Sequence, residues 1–182
     1  MRKINAIITM LIIVLFLFHG IAGGFQLAGV INGGSKLMKT LAHIMEALIW
    51  LHVLIGIKLT ADTVKAMKRA GVSYFKENKL FWLRRISGLA VMVFIMAHIF
   101  IFAHNGEGAY RLNEFGGFEL MTQILLVVSI ALHAVSNAKP ALISFGIKSF
   151  KEAGLDLALI LAGILIFTGI AFIIYYFRWA AV

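Results

Sequence analysis

Five stretches of this sequence are each long and apolar enough to cross the hydrocarbon core of a bilayer. A spanning helix needs about 20 mostly apolar residues, within a range of roughly 17–25. Ile4–Gly23, Leu37–Leu59, Trp82–Ala103, Phe118–Ala138 and Leu155–Phe177 all qualify. The composition agrees: 62% of the residues are hydrophobic, against about 45–50% apolar in a soluble domain. The expected fold is an all-α integral membrane protein, a bundle of five transmembrane helices in one domain over residues 1–182. Arg2 and Lys3 before the first stretch, with small residues after it, are also the layout of a secretory signal peptide. Its length, its histidine and the lack of a clear A-x-A site favour a retained helix.

Charge placement sets the expected direction. Arg2, Lys3, Lys58, Lys65, Lys68, Arg69, Lys76, Lys79, Arg84, Arg85, Lys139, Lys148 and Lys151 fall on the side of the N-terminus. Only Lys36, Lys39, Arg111 and Arg178 fall on the other. The positive-inside rule then places the N-terminus in the cytoplasm and the C-terminus outside. A net charge of +9 is not that of a nucleic-acid binder here, since only 14% of the residues are charged and the cations gather at one membrane face. No nucleic-acid partner is expected; anionic lipid or an acidic soluble partner suits that face. The absence of cysteine excludes a disulfide framework, thiolate-bound iron–sulfur clusters and thiolate zinc sites. Between the second and third spans, Thr63–Ala70 predicts a short interfacial amphipathic helix ended by Gly71. Gly23–Gly24 and Gly33–Gly34 read as turns between the first two spans. Pro140, the one helix-breaking signal, is expected beyond the fourth span. No internal repeat, low-complexity tract or glycine-rich phosphate loop is present.

All six histidines fall in or at the end of these spans. A polar ionisable group at membrane depth is costly and so points to function; the plain alternative is a neutral ring hydrogen-bonded to a neighbouring helix. Depth discriminates. His19 lies 15 residues into its span and His98 16 residues into its own, both running outward. A rise of about 1.5 Å per residue puts them about 22 and 24 Å from the inner edge. His52 and His133 each lie 15 residues into spans that run inward, about 8 Å from the inner edge of a core roughly 30 Å thick. Two pairs result, at two levels about 14–16 Å apart along the membrane normal.

Two imidazoles on facing helices form a natural axial-ligand set for haem iron, each neutral ring offering one nitrogen lone pair. Gly23 and Gly56, one turn after His19 and His52, leave room for a flat macrocycle, and Asn137 after His133 supplies a hydrogen-bond donor. His98 departs from this, being followed by Phe102. No carboxylate or third histidine at either level favours zinc, and without C-x-x-C-H any haem is b-type. Bis-histidine ligation leaves iron no open position, which suits electron transfer. His43 and His104 fit neither pair. His43 shares a helix face with Glu46 at i and i+3, either as a structural pair or as a proton-exchanging pair for a quinone headgroup. Asp156 is expected to open the fifth helix, where a carboxylate favours the N-terminus.

Phe81–His98, F-W-L-R-R-I-S-G-L-A-V-M-V-F-I-M-A-H, resembles an aromatic–x–x–x–R–x–[ST]–G opening with a ligand histidine 13 residues after the arginine. His52 and Gly56 in W-L-H-V-L-I-G, His133 in A-L-H-A-V-S-N and His19 in L-F-H-G resemble the companion ligand motifs. Together these residues resemble the di-haem cytochrome b membrane anchor of succinate dehydrogenases and fumarate reductases, over nearly the whole chain. That resemblance implies two haem b, His19 and His98 holding the outer iron and His52 and His133 the inner. It implies a multi-pass protein of the bacterial plasma membrane. A flavoprotein subunit and an iron–sulfur subunit would sit on its cytoplasmic face. Electrons would pass between succinate or fumarate and a quinone, menaquinone rather than ubiquinone, and the complex could form a higher oligomer. Arg85 and Ser87 match motif positions near haem propionate or the cytoplasmic side; the alternative is a topogenic charge and a helix-start serine. No nucleophile–base arrangement or cofactor fingerprint suggests chemistry by this chain alone, so it would be an electron-transfer subunit of a quinone-linked oxidoreductase. Two other readings stay open: the cytochrome b subunit of a different membrane-bound dehydrogenase or hydrogenase, and a non-redox transporter or anchor.

Overall fold

In a bilayer the backbone finds no water to bond, so each apolar stretch must satisfy its own N–H and C=O groups as a helix. The computed structural model describes residues 1–71, 78–103, 113–146 and 150–181. Among these, α1 (Arg2–Leu27), α2 (Lys36–Arg69), α3 (Lys79–Phe102), α4 (Gly117–Ser144) and α5 (Phe150–Ala180) are the regular elements, with no strand. All five are long and apolar enough to cross a membrane, the mark of a multi-pass membrane protein. Large apolar side chains such as Ile7, Phe18, Leu54, Leu89, Val135, Ile166 and Phe177 point outward, as a lipid-facing exterior requires. His104, Lys76, Arg111 and Lys148 lie outside the described residues.

The helices outrun the apolar stretches, and four local expectations change as a result. Thr63–Ala70 is not a separate element: α2 runs unbroken for 34 residues, about 51 Å at 1.5 Å per residue, and stops where Gly71 turns to φ +66°. Gly23 and Gly24 are not a turn. They lie inside α1, where glycine is tolerated because leaving the helix in hydrocarbon would strand backbone groups. The turn uses Gly29 (φ +78°) and Gly34 (φ +89°) instead. Pro140 is inside α4, not beyond it. Asp156 likewise does not open the fifth helix, which begins at Phe150.

The helices pack mainly as a chain, α2 on α1, α1 on α5, α5 on α4, and α4 on α3, with a lighter contact between α1 and α4. Gly20 and Gly24 let α1 approach α5. A Cβ on Gly20 would already touch Ile164 and Thr168 at 3.4 Å, and one on Gly24 would overlap the Phe167 ring. This small-xxx-small stripe is how backbones come close where no hydrophobic force separates helix from lipid. At the far end of α1, Arg178 of α5 donates to the carbonyls of Leu27 at 2.6 Å and Gln26 at 3.4 Å, serving groups that a helix end leaves open. Phe115, Phe172 and Tyr175 form the buried core where α3 ends, α4 begins and α5 ends. The Tyr175 hydroxyl accepts from the Asn113 backbone N–H at 2.8 Å. At the other extreme, α2 has no buried residue.

Candidate functional site

Four of the helices bring their histidines together across the open side of that chain. The His19 and His98 rings, on α1 and α3, lie 5.9 Å apart between centroids. The His52 and His133 rings, on α2 and α4, lie 6.4 Å apart. Neither α1 with α3 nor α2 with α4 is among the closely packed helix pairs, so the histidines meet over wider gaps than the other helix contacts. Among the described residues no three His, Cys, Asp or Glu side chains converge on one point; the histidines meet as pairs.

Each Nδ1 hydrogen bond carries further information. Thr9 Oγ1 donates to the Asn5 carbonyl at 2.8 Å, so the oxygen that lies 3.3 Å from His52 Nδ1 acts as an acceptor. Ser87 Oγ donates to the Arg84 carbonyl at 3.3 Å and in the same way faces His133 Nδ1 at 3.3 Å. Thr122 donates to the Glu119 carbonyl at 2.7 Å and accepts from the Gln123 amide nitrogen at 3.1 Å. That turns the amide oxygen of Gln123 toward His98 Nδ1, 2.8 Å away. With each hydroxyl proton given to its backbone carbonyl, the ring proton goes to Nδ1 in all three cases and leaves the Nε2 lone pair available. This is the tautomer arrangement that orients a metal-binding imidazole. His19 makes no side-chain hydrogen bond among the described residues.

The surroundings fit a flat ligand between paired rings. Two metal–imidazole bonds of about 2.0–2.1 Å, plus the radius of each ring, set centroids roughly 6.5 Å apart, close to both observed separations. A Cβ placed on Gly23 or on Gly56 would meet no atom within 4 Å, so the backbone beside His19 and His52 is open to close approach. Gly88 has a different task. A Cβ there would come within 3.0 Å of His133 Cε1 and 3.2 Å of its Nδ1, so the Ser87–Gly88 dipeptide is the seat of His133, one residue holding it and the next making way.

Pro140 explains a contact to the first arginine of the pair. Proline has no N–H to give the carbonyl four residues earlier, which here is that of Ser136. Arg84 Nε donates to that carbonyl at 2.8 Å, pinning the start of α3 to the end of α4. Arg85 places its guanidinium over the Phe81 ring, 5.0 Å from the centroid. Asn137 Nδ2 donates to the His133 carbonyl at 2.8 Å and reaches Ser136 Oγ at 3.4 Å. His43 and Glu46 meet at 3.5 Å on an exposed side of α2, with 80% of the His43 side chain accessible.

Sequence reasoning missed Thr9, Gln123 and Arg84, and read Gly88 only as one position of a motif. Thr9 and Gln123 carried a signal, since each is a polar side chain within an apolar span. Arg84 carried none alone, and the motif did not tell what Gly88 does, because both roles depend on which helix lies opposite. No protein-family model, curated protein or solved structure matches the chain.

Proposed function

We propose that this chain is the di-haem b membrane anchor of a succinate dehydrogenase or fumarate reductase complex. It would carry electrons between cytoplasmic flavoprotein and iron–sulfur subunits and membrane quinone, menaquinone being the expected species. The observation that carries this reading is the meeting of four histidines as two separate pairs, 5.9 and 6.4 Å between ring centroids, on four helices that could span a bilayer.

In this reading His19 and His98 hold one iron and His52 and His133 the other. Haem supplies, when bound, a one-electron couple whose potential is set by ligands, hydrogen bonds and burial. The chain's own part is to present an Nε2 lone pair from His52, His98 and His133. Thr9, Gln123 and Ser87 hold the opposite ring nitrogen of each, and the apolar helices exclude water. With two histidines to hold each iron, the group would serve electron transfer rather than oxygen activation. The basic end of the bundle faces the cytoplasm by the positive-inside rule, where the soluble subunits would dock. Arg85 serves a haem propionate or that docking face. His43 and Glu46 face the lipid, in which quinone dissolves, and would exchange its protons.

The test is a reduced-minus-oxidised optical spectrum of the detergent-purified chain, with haem and protein quantified on one sample. Two b haems per chain is the expected result. One haem would break one of the pairs. None, in material made with adequate haem and its partner subunits, would overturn the electron-transfer reading in favour of a non-redox transporter or anchor. Gentle co-purification identifies the soluble partner and separates this complex from another dehydrogenase or a hydrogenase.

A further inference from the structure

Gln123 is an amide with no accessible surface inside an apolar span, and both of its polar ends are engaged. Its nitrogen donates to Thr122 Oγ1 at 3.1 Å. That oxygen is an acceptor because its own proton goes to the Glu119 carbonyl at 2.7 Å. The amide oxygen therefore has one orientation open to it, toward His98 Nδ1 at 2.8 Å. Turning the amide over would set a donor against the donor of the imidazole and strand the Thr122 oxygen, and a buried amide has no water to make good the loss. The corresponding bonds at the other pair, from Thr9 and Ser87, are both 3.3 Å and are made to hydroxyls. Among the three engaged rings, His98 thus has the shortest and most completely enforced Nδ1 contact.

A stronger acceptor at Nδ1–H pushes electron density into the ring and makes Nε2 the more basic ligand. The oxidised iron, being the more electron-poor state, gains more from a basic ligand than the reduced iron does. We propose that Gln123, itself held by Thr122, is a positioning residue that fixes the Nδ1-protonated tautomer of His98 and so lowers the reduction potential at the His19/His98 level. The proposal rests on the haem reading above. Gln123 would then tune one of two electron-carrying levels and leave the other untouched.

The experiment is a spectroelectrochemical titration of the purified holo-complex, comparing wild type with Gln123→Met and Thr122→Val. Methionine keeps the length of the side chain without an amide acceptor, and valine keeps the shape of threonine without its hydroxyl. With two haems retained, Gln123→Met should raise one of the two one-electron steps. The expected change is about tenfold in the oxidised-to-reduced ratio at fixed ambient potential, which is about 59 mV for a one-electron couple. Thr122→Val should move the same step in the same direction by less, and Ser87→Ala should move the other step. Two retained haems with neither step shifted, or with both shifted equally, would overturn the proposal. Loss of one haem in both Gln123→Met and Thr122→Val would also overturn it, leaving a purely structural role. A wild-type complex without haem would instead overturn the functional reading, so the two failures are distinct.

Discussion

At the His19/His98 level the neighbours are aromatic. The His98 ring lies 5.0 Å from Phe102 and 6.2 Å from Phe172, beside the buried core of Phe115, Phe172 and Tyr175, with one amide to orient it. At the His52/His133 level the neighbours are small or polar: Thr9, Ser87 and Gly88, with the Arg84 bond to the Ser136 carbonyl one turn beyond. The first level lies beside Phe115, Gln123 and Tyr175, the largest fully buried side chains among the described residues. The second depends on α2, which has no buried residue and packs closely only on α1. Two chemically similar histidine pairs therefore have unequal support from the protein, and the second should owe more of its order to whatever the histidines hold.

The largest effects break the comparison outright. His19→Ala or His98→Ala should each cost one haem, and His52→Ala or His133→Ala the other, taking two haems per chain to one in a pyridine haemochrome assay. Loss of the same haem from His19→Ala and His52→Ala would dissolve the pairing. Removal of haem should next reveal the unequal support. Hydrogen exchange in α2 should accelerate by on the order of tenfold or more, and far less around Phe115 and Tyr175, because a ligand stabilises most the segment with least packing of its own. Equal acceleration in both regions would erase the distinction drawn above.

Glycine substitutions probe the same levels more finely. Gly88→Ala should displace His133 and weaken retention of one haem by about 10–100-fold, the usual cost of disturbing the support of a metal ligand. A Cβ at Gly56 meets no atom within 4 Å, so Gly56→Val should change the thermal denaturation of the haem-free protein little while reducing haem retention. A Gly56→Val protein that kept both haems would show that no macrocycle lies against α2 at that point. The smallest effect belongs to the Arg84–Ser136 link. Arg84→Leu should destabilise by about 1–3 kcal/mol by leaving a buried carbonyl unsatisfied. That cost should shrink in a Pro140→Ala background, where residue 140 regains the N–H that a helix normally supplies. Additive behaviour of the two substitutions in a denaturation cycle would disprove the compensation.

Some of this is legible in the sequence. The five apolar runs became five helices because run length against bilayer thickness is a local property. Helix ends were read less well: Gly23–Gly24 and Pro140 are turn signals for chains in water, and here they lie inside α1 and α4. The arginine–serine–glycine motif was legible as a pattern. Its physical content, a serine that bonds His133 and a glycine that gives it room, was not, since it needs α4 opposite α3.

By itself the sequence determined the number of long apolar helices and the spacing of the histidines along them, because every α-helix rises by the same amount per residue. The tertiary structure alone decided which helices touch and which residues hold each ring: α1 on α5 through Gly20 and Gly24, Gln123 behind His98, Ser87 and Thr9 behind the other pair. Those choices depend on how the helices are rotated and spaced. That is a collective result of side-chain packing, and no single helix carries it in its own periodicity.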